Sequence, residues 1–226
     1  MSVAVVVYPG TNCERDVVHA LGKVGAAAEL VWHREADLSG FDGVVLPGGF
    51  AHGDYLRPGA IARFSPVMKG IEELAKAGKP VLGICNGFQV LCEAGLLPGA
   101  LVENRGLRFI CRFVHVRVDS TDTVLTRAAR PGQVLRIPLN SYRGSYALDS
   151  IGTEAGFVAM RYCDEAGAVV AEHNLNGSLD AVAGLANRRG NVVGFMPHPE
   201  RASDQALGSG DGRVLLESFV AALGDA

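Results

Sequence analysis

The sequence predicts an α/β chain: a three-layer sandwich about a mostly parallel central sheet, with antiparallel strands added in its second half. Three observations lead there. Short β-branched runs alternate with helical periodicity through the first half, as in parallel strands joined by crossover helices. The run at 3–8 is apolar throughout, the pattern of a strand buried on both faces. After Gly99 the periodicity changes to alternation along single strands, which marks antiparallel pairing.

The elements follow in order. Pro9-Gly10 ends the first strand, and Asn12 is placed to cap a helix in which Val17, Val18, Leu21 and Val24 recur at helical spacing, with Gly25 as its stop. A second strand is expected near 29–32. The segment Gly43-Val44-Val45-Leu46-Pro47-Gly48-Gly49 reads as a third, ending in a loop that brings bare backbone close to a ligand. Helix is expected from 60 to 77, stopped by Gly78, and Pro80 opens the next strand. Ligands of such open sheets bind beyond the carboxyl ends of the strands. The overall pattern is flavodoxin-like. In the second half, 108–119 alternates Arg112 and Arg117 with Phe113, Val114, Val116 and Val118. The turn Arg189-Gly190-Asn191 leads into a buried strand at 192–196, and 214–223 closes the chain as an amphipathic helix.

A chain of 226 residues has room for one large domain, and neither a linker, a low-complexity tract nor an internal repeat divides it, so 1–226 is read as one unit. Dispersed charges, 21 basic against 24 acidic for a net of -3, leave no electrostatic footprint for nucleic acid or an anionic membrane. The opening Met-Ser-Val-Ala-Val-Val-Val-Tyr has no basic leader, and the chain is expected to be soluble and cytoplasmic. Five irregularly spaced cysteines argue against a disulfide framework and against zinc knuckles, and all but Cys85 are read as small apolar residues.

Cys85 stands apart. In Gly83-Ile84-Cys85-Asn86-Gly87, glycines two before and two after the cysteine let a strand turn sharply into a helix, the form of a nucleophile elbow. The helix behind it favours thiolate over thiol. A second constellation, Met196-Pro197-His198-Pro199-Glu200, sets an imidazole and a carboxylate two apart where the prolines favour extended backbone. Cys85, His198 and Glu200 together supply a nucleophile, a general base and an orienting acid, the roles of acyl transfer. The amide of Asn86 and one in the Gly48-Gly49 loop are candidate oxyanion donors. Gln89, one helical turn beyond the nucleophile, either faces the same pocket or lies on a solvated helix face. His19, His33, His52, His115 and His173 lack metal-ligand spacing, so no metal site is expected, and no phosphate-loop pattern accompanies Gly48-Gly49, so no nucleotide is expected on this chain.

These motifs, Pro47-Gly48-Gly49, Gly83 through Gln89 and Pro197-His198-Pro199-Glu200, resemble the class I, triad-type glutamine amidotransferases. Further stretches, among them Tyr8-Pro9-Gly10-Thr11-Asn12-Cys13 and Gly48-Gly49-Phe50-Ala51-His52-Gly53-Asp54-Tyr55-Leu56-Arg57, resemble one branch, the small glutaminase subunits of phosphoribosylformylglycinamidine synthase. The resemblance implies hydrolysis of glutamine through a thioester on Cys85, with His198 as base, Glu200 as its orienter, Gly49 and Asn86 as oxyanion donors and Gln89 as a glutamine contact. It implies two partners, a large synthetase subunit, which would hold ATP and Mg, and a small bridging subunit. No cofactor is implied on this chain. One departure is visible: where related subunits commonly carry His-Gly-Glu-Gly-Asn, this chain has Asn140-Ser141-Tyr142-Arg143-Gly144-Ser145-Tyr146. Two other readings keep Cys85 but change its task. One is a free-standing cysteine hydrolase or glyoxalase-like enzyme, the other a non-enzymatic redox-sensing scaffold.

Overall fold

The computed structural model of the chain describes residues 1–148 and 156–224. In chain order the elements are β1 (Ser2–Val7), α1 (Glu14–Lys23), β2 (Ala27–Trp32), β3 (Gly43–Leu46), α2 (Val67–Ala77), β4 (Val81–Ile84) and α3 (Asn86–Glu93). There follow β5 (Ala100–Val102), β6 (Ile110–Val118), β7 (Val134–Ser141), β8 (Ser145–Ala147), β9 (Gly156–Cys163), β10 (Val182–Asn187), β11 (Val192–Phe195) and α4 (Gly212–Ala222). Nine strands form one sheet in the order β2-β1-β3-β4-β11-β10-β9-β6-β7, and β5 pairs with β8 apart from it.

From β2 to β11 the neighbours are parallel, and their order is that of a flavodoxin-like sheet with β11 in the fifth place. Beyond β11 every pairing is antiparallel, so the second-half strands extend the same sheet. The chain leaves β1 toward one edge and later returns to β3 on the other side of β1. Right-handed crossovers then put α1 and α2 on opposite faces. α4 packs against α1, and α3 lies on the other face across β3, β4 and β11. Both faces being covered, Val44, Val45, Leu46, Val81, Leu82, Ile84, Val193 and Phe195 are all fully buried.

Local sterics explain where elements differ from the sequence reading. The helix expected over 60–77 is a 3₁₀ turn at Ala62–Phe64 followed by α2, because Pro66 at the helix start has no N–H to continue a helix from upstream. Asn12 does not cap α1. The cap position is Cys13, and the N–H groups of Asn12 and Cys13 both reach the carbonyl of Gly48, which ties the loop after β1 to the loop after β3. Gly78 does end α2 in the left-handed conformation. So does Gly25 just past α1, at φ +88° with no atom within 4 Å of where a Cβ would stand. Gly25→Ala is therefore expected to cost about 1 kcal/mol from backbone strain alone, measured as a shift of the urea midpoint at unchanged slope.

The sheet order does one thing for function. β4 and β11, far apart in sequence, are parallel neighbours with Gly83 beside Gly194 and Ile84 beside Phe195, and the Cys85 N–H donates to the Phe195 carbonyl at 2.8 Å. Their carboxyl ends thus emerge side by side. The ends of β1 and β3 emerge next to them, at the point where the strand order reverses.

Candidate active site

At the end of β4 the backbone of Cys85 takes φ 51° and ψ -104°, a strained conformation that aims the side chain off the strand end. The flanking glycines make the bend possible: a Cβ on Gly83 would lie 2.6 Å from the backbone of Gly87, and one on Gly87 would lie 1.9 Å from the Leu46 carbonyl oxygen. Cys85 caps α3, so the unpaired first-turn N–H groups and the positive end of the helix lie at the sulfur. The thiol donates to the carbonyl of Asn140 at 3.6 Å.

His198 follows β11 in extended backbone, but Glu200 does not continue it. Residues Pro199–Ala202 form a 3₁₀ turn, begun by a proline whose fixed φ suits it, and the turn swings Glu200 back under the imidazole. His198 Nδ1 and Glu200 Oε1 are 2.7 Å apart, and both side chains are almost completely buried. This bond fixes the ring so that Nε2 faces the sulfurs, and Nε2 itself has no hydrogen-bond partner among the described residues. Burial lowers the affinity of His198 for a proton, but the charge of Glu200, then that of Cys85, then side-chain interactions with Cys13 and Cys85 outweigh it and hold the imidazole well above its usual range. The three predicted catalytic side chains therefore converge. Gly48 shows how closely: a Cβ there would lie 2.7 Å from His198 Cε1 and 3.4 Å from Cys85 Cβ.

Gly49 sits at φ +145°, where a Cβ would lie 2.7 Å from the Asn12 nitrogen. It pairs with Thr11 in an isolated antiparallel bridge. The hydrogen bonds of that bridge run from Phe50 to Gly10 and from Asn12 to Gly48, which turns the Gly49 N–H away from it and leaves it without a backbone partner among the described residues. Asn86 offers the other free amide, as the first residue of α3. Its side chain holds the two together: Oδ1 accepts from the Ala51 N–H at 3.0 Å, and Nδ2 donates to Asp54 Oδ1 at 3.0 Å and to Gln89 Oε1 at 2.7 Å. Gln89 is buried at the cleft, and its Nε2 donates to the carbonyl of Arg143.

The cleft has a volume of about 360 Å³, with Cys85, His198, Gly49 and Gln89 on its wall. The wall also carries Cys13, Asp54, Arg143 and Arg201, chemically active side chains to which the sequence pattern assigns no site role. Cys13, read as core filler, is instead a cleft residue whose sulfur accepts from Arg201 Nη2 at 3.2 Å and donates to Asn12 Oδ1 at 3.2 Å. Its sulfur and the ligand atoms of His198 and Glu200 lie within 4.8 Å of one another. Of the other cysteines, Cys92 and Cys163 are buried and Cys111 is exposed. Cys13 and Asp54 lie in the glycine-containing segments after β1 and β3, and a chemical side chain in such a loop at a strand's carboxyl end was the available signal.

Comparison with known proteins agrees with this geometry. Residues 1–210 match the CobB/CobQ-like glutamine amidotransferase domain. The phosphoribosylformylglycinamidine synthase subunit PurQ of Rubrobacter xylanophilus is 53% identical over 225 residues, covering 98% of both chains. That of Gloeobacter violaceus is 53% identical over 226 residues, covering 98% of this chain and 97% of the relative. A chain of the PurLQS structure from Thermotoga maritima superposes with a TM-score of 0.88 at 40% identity, covering 97% of each chain. With a sheet, an elbow and a buried imidazole–carboxylate pair of this form, and matches that run nearly end to end, the chain belongs to the CobB/CobQ-like glutamine amidotransferases and, within them, to the PurQ subunit family of phosphoribosylformylglycinamidine synthase.

Proposed function

We propose that the chain, as the glutaminase subunit of phosphoribosylformylglycinamidine synthase, hydrolyses glutamine at Cys85 and hands the ammonia to a synthetase partner. The observation that carries this is the buried His198–Glu200 pair, 2.7 Å apart, facing a cysteine on a strained elbow. Cys85 gives its proton to His198, the resulting thiolate adds to the carboxamide carbon, and the carbonyl oxygen becomes an oxyanion between the amides of Gly49 and Asn86. His198, held protonated by Glu200, gives its proton to the departing nitrogen, leaving a thioester and ammonia. It then takes a proton from water, which attacks the thioester and releases glutamate with Cys85 restored. Gln89 borders the bound glutamine and, through Asn86, steadies the oxyanion loop.

That relatives are named as subunits of phosphoribosylformylglycinamidine synthase, and that one lies in a structure named PurLQS, supports a multisubunit setting. The partners are a large synthetase subunit, which uses ATP and Mg to turn formylglycinamide ribonucleotide into the amidine, and a small bridging subunit. This chain serves as one glutamine amidotransferase domain over 1–226, without a cofactor of its own, and works in the cytoplasm. No helix among the described residues is long and apolar enough to cross a membrane.

A glutamine-like chloroketone tests the chemistry. Mass spectrometry is expected to find the label on Cys85, blocked by excess glutamine, and label confined to other cysteines would overturn the assignment. Glu200→Gln tests the pair. It removes the charge that does most to raise the His198 pKa, so the imidazolium is lost at lower pH. The alkaline limb of the pH–rate profile is expected to move down, with kcat/KM reduced about 100-fold. An unmoved limb would show that His198 titrates independently of Glu200.

A further inference from the structure

We propose that Asn104 is a positioning residue for the hydrolysis: its side-chain amide, set into the turn between β7 and β8, aims the carbonyls of Asn140 and Arg143 at the nucleophile and at Gln89. This rests on the glutaminase reading and adds a residue that touches no substrate and stands behind the cleft wall.

β7 ends at Ser141 and β8 begins at Ser145, so the chain reverses over Tyr142, Arg143 and Gly144. In an ordinary four-residue turn the carbonyl of the first residue accepts from the N–H of the fourth. Here both groups go to Asn104 instead. The Ser141 carbonyl accepts from Asn104 Nδ2 at 2.8 Å, and the Gly144 N–H donates to Asn104 Oδ1 at 3.0 Å. The side-chain amide stands where the closing bond would form and holds the turn open. An amide presents a donor and an acceptor side by side, whereas aspartate lacks the donor and glutamine is one methylene longer. The second Nδ2 hydrogen goes to the Arg108 carbonyl at 3.0 Å, and the Asn104 backbone N–H donates to the Tyr142 carbonyl at 2.9 Å. Asn104 is 1% exposed, so loss of its side chain leaves buried backbone groups unpaired. Asn176 steadies the turn from the other side, its Nδ2 donating to the Gly144 carbonyl at 2.7 Å and to the Tyr162 hydroxyl at 3.1 Å.

The turn held in this way reaches the chemistry at two points. The Asn140 carbonyl accepts from the Cys85 thiol at 3.6 Å, and the Arg143 carbonyl accepts from Gln89 Nε2 at 2.5 Å. From Gln89 the bonds continue: its Oε1 accepts from Asn86 Nδ2 at 2.7 Å, and Asn86 Oδ1 accepts from the Ala51 N–H at 3.0 Å, in the loop that carries Gly49. Asn104 is thus joined through the turn, Gln89 and Asn86 to both oxyanion donors. A shift of the turn moves the sulfur and those donors relative to each other, and their contacts with the substrate strengthen in the transition state. The loss therefore falls on kcat. The turn also lies in the stretch 140–146 where the chain departs from the common pattern of related subunits.

The test uses the chain assembled with its synthetase partners, at a temperature where circular dichroism shows each variant folded. For Asn104→Ala, kcat with glutamine is expected to fall about 10-fold with KM within about 3-fold, and for Asn104→Asp, which sets a charge against the Ser141 carbonyl, kcat is expected to fall further. Synthesis driven by ammonium chloride is expected to stay within about 2-fold of wild type in both variants. A residue that only maintains the fold lowers both nitrogen sources together. That result, an unchanged kcat, or a rise in KM alone overturns the proposal. Should neither variant fold, deuterium exchange on the wild-type complex decides: the Gly144 amide is expected to exchange at least about 100-fold more slowly than an open loop, and exchange at the open rate shows that Asn104 does not hold it. A wild-type complex that turns over no glutamine would overturn the glutaminase reading itself, an outcome separate from normal wild-type turnover with equal losses in the variants.

Discussion

Cys85→Ala is expected to lower glutamine-dependent amidine synthesis by the assembled complex about 10⁴-fold, a loss of roughly 5 kcal/mol of transition-state stabilisation. Synthesis driven by added ammonium chloride is expected to remain within about 2-fold of wild type. The asymmetry follows from geometry. The sulfur makes the only covalent bond between this chain and the substrate, and removing it leaves His198 without the nucleophile of the first step. Its structural duties are small: one long contact to the Asn140 carbonyl and a place at the end of β4. The measurement is a steady-state assay of both nitrogen sources on one preparation. Equal losses with glutamine and ammonia would show that Cys85 maintains the fold or the assembly rather than the chemistry. The strained φ of 51° is relieved little by alanine, so a drop in stability does not confound the comparison.

Gly87→Ala is expected to destabilise the chain by about 3 kcal/mol or more, among the largest effects of a single methyl group in this fold. The added carbon would stand 1.9 Å from the Leu46 carbonyl oxygen and 2.8 Å from Leu46 Cβ, so β3 and α3 have to move apart. Neither side yields cheaply, since β3 is hydrogen-bonded between β1 and β4 and α3 is packed by Phe88 onto Gly194. Gly22→Ala is the control. It lies on the exposed side of α1 with nothing within 4 Å, and relief of backbone entropy in a helix is expected to stabilise the chain by about 0.5 kcal/mol. Urea denaturation of the two variants reads the contrast directly, with midpoints moving in opposite directions. A small or absent loss at Gly87 would mean that the helix does not lie on the strand end as described, and the position of the Asn86 amide would fall with it.

How much was legible in the sequence depended on how local the cause was. The elbow was legible because its physics is contained in five residues: the glycines at 83 and 87 permit one bend, and that bend pushes out Cys85. Pairing of His198 with Glu200 was legible for a similar reason, though the means differed, a proline-initiated 3₁₀ turn replacing the expected extended stretch. The helix expected over 60–77 was not correctly delimited, since apolar periodicity continued across Pro66 while the missing N–H did not allow the helix to. Asn12 has the chemistry of a helix cap, but the loop after β1 is held by the Gly48 carbonyl, a tertiary bond invisible to local pattern.

Cys13, Asp54 and Arg143 carry no local signal of a place on the cleft wall, because their residue types are ordinary in loops and cores and only position makes them unusual. A cysteine near an apolar strand reads as filler, and an aspartate between glycine and tyrosine reads as solvated. By itself the sequence determined the alternation of strands and helices, the nucleophile thrust off a strand end and the acid–base pair, because these arise from sterics and hydrogen bonding between near neighbours. Only the tertiary structure decided that β11 lies against β4, which brings His198 to Cys85, and that Asp54 is half-buried beside Asn86. The reason is physical: proximity and desolvation are properties of the packed sheet, and neither exists for a residue until the strands on both sides of it have been placed.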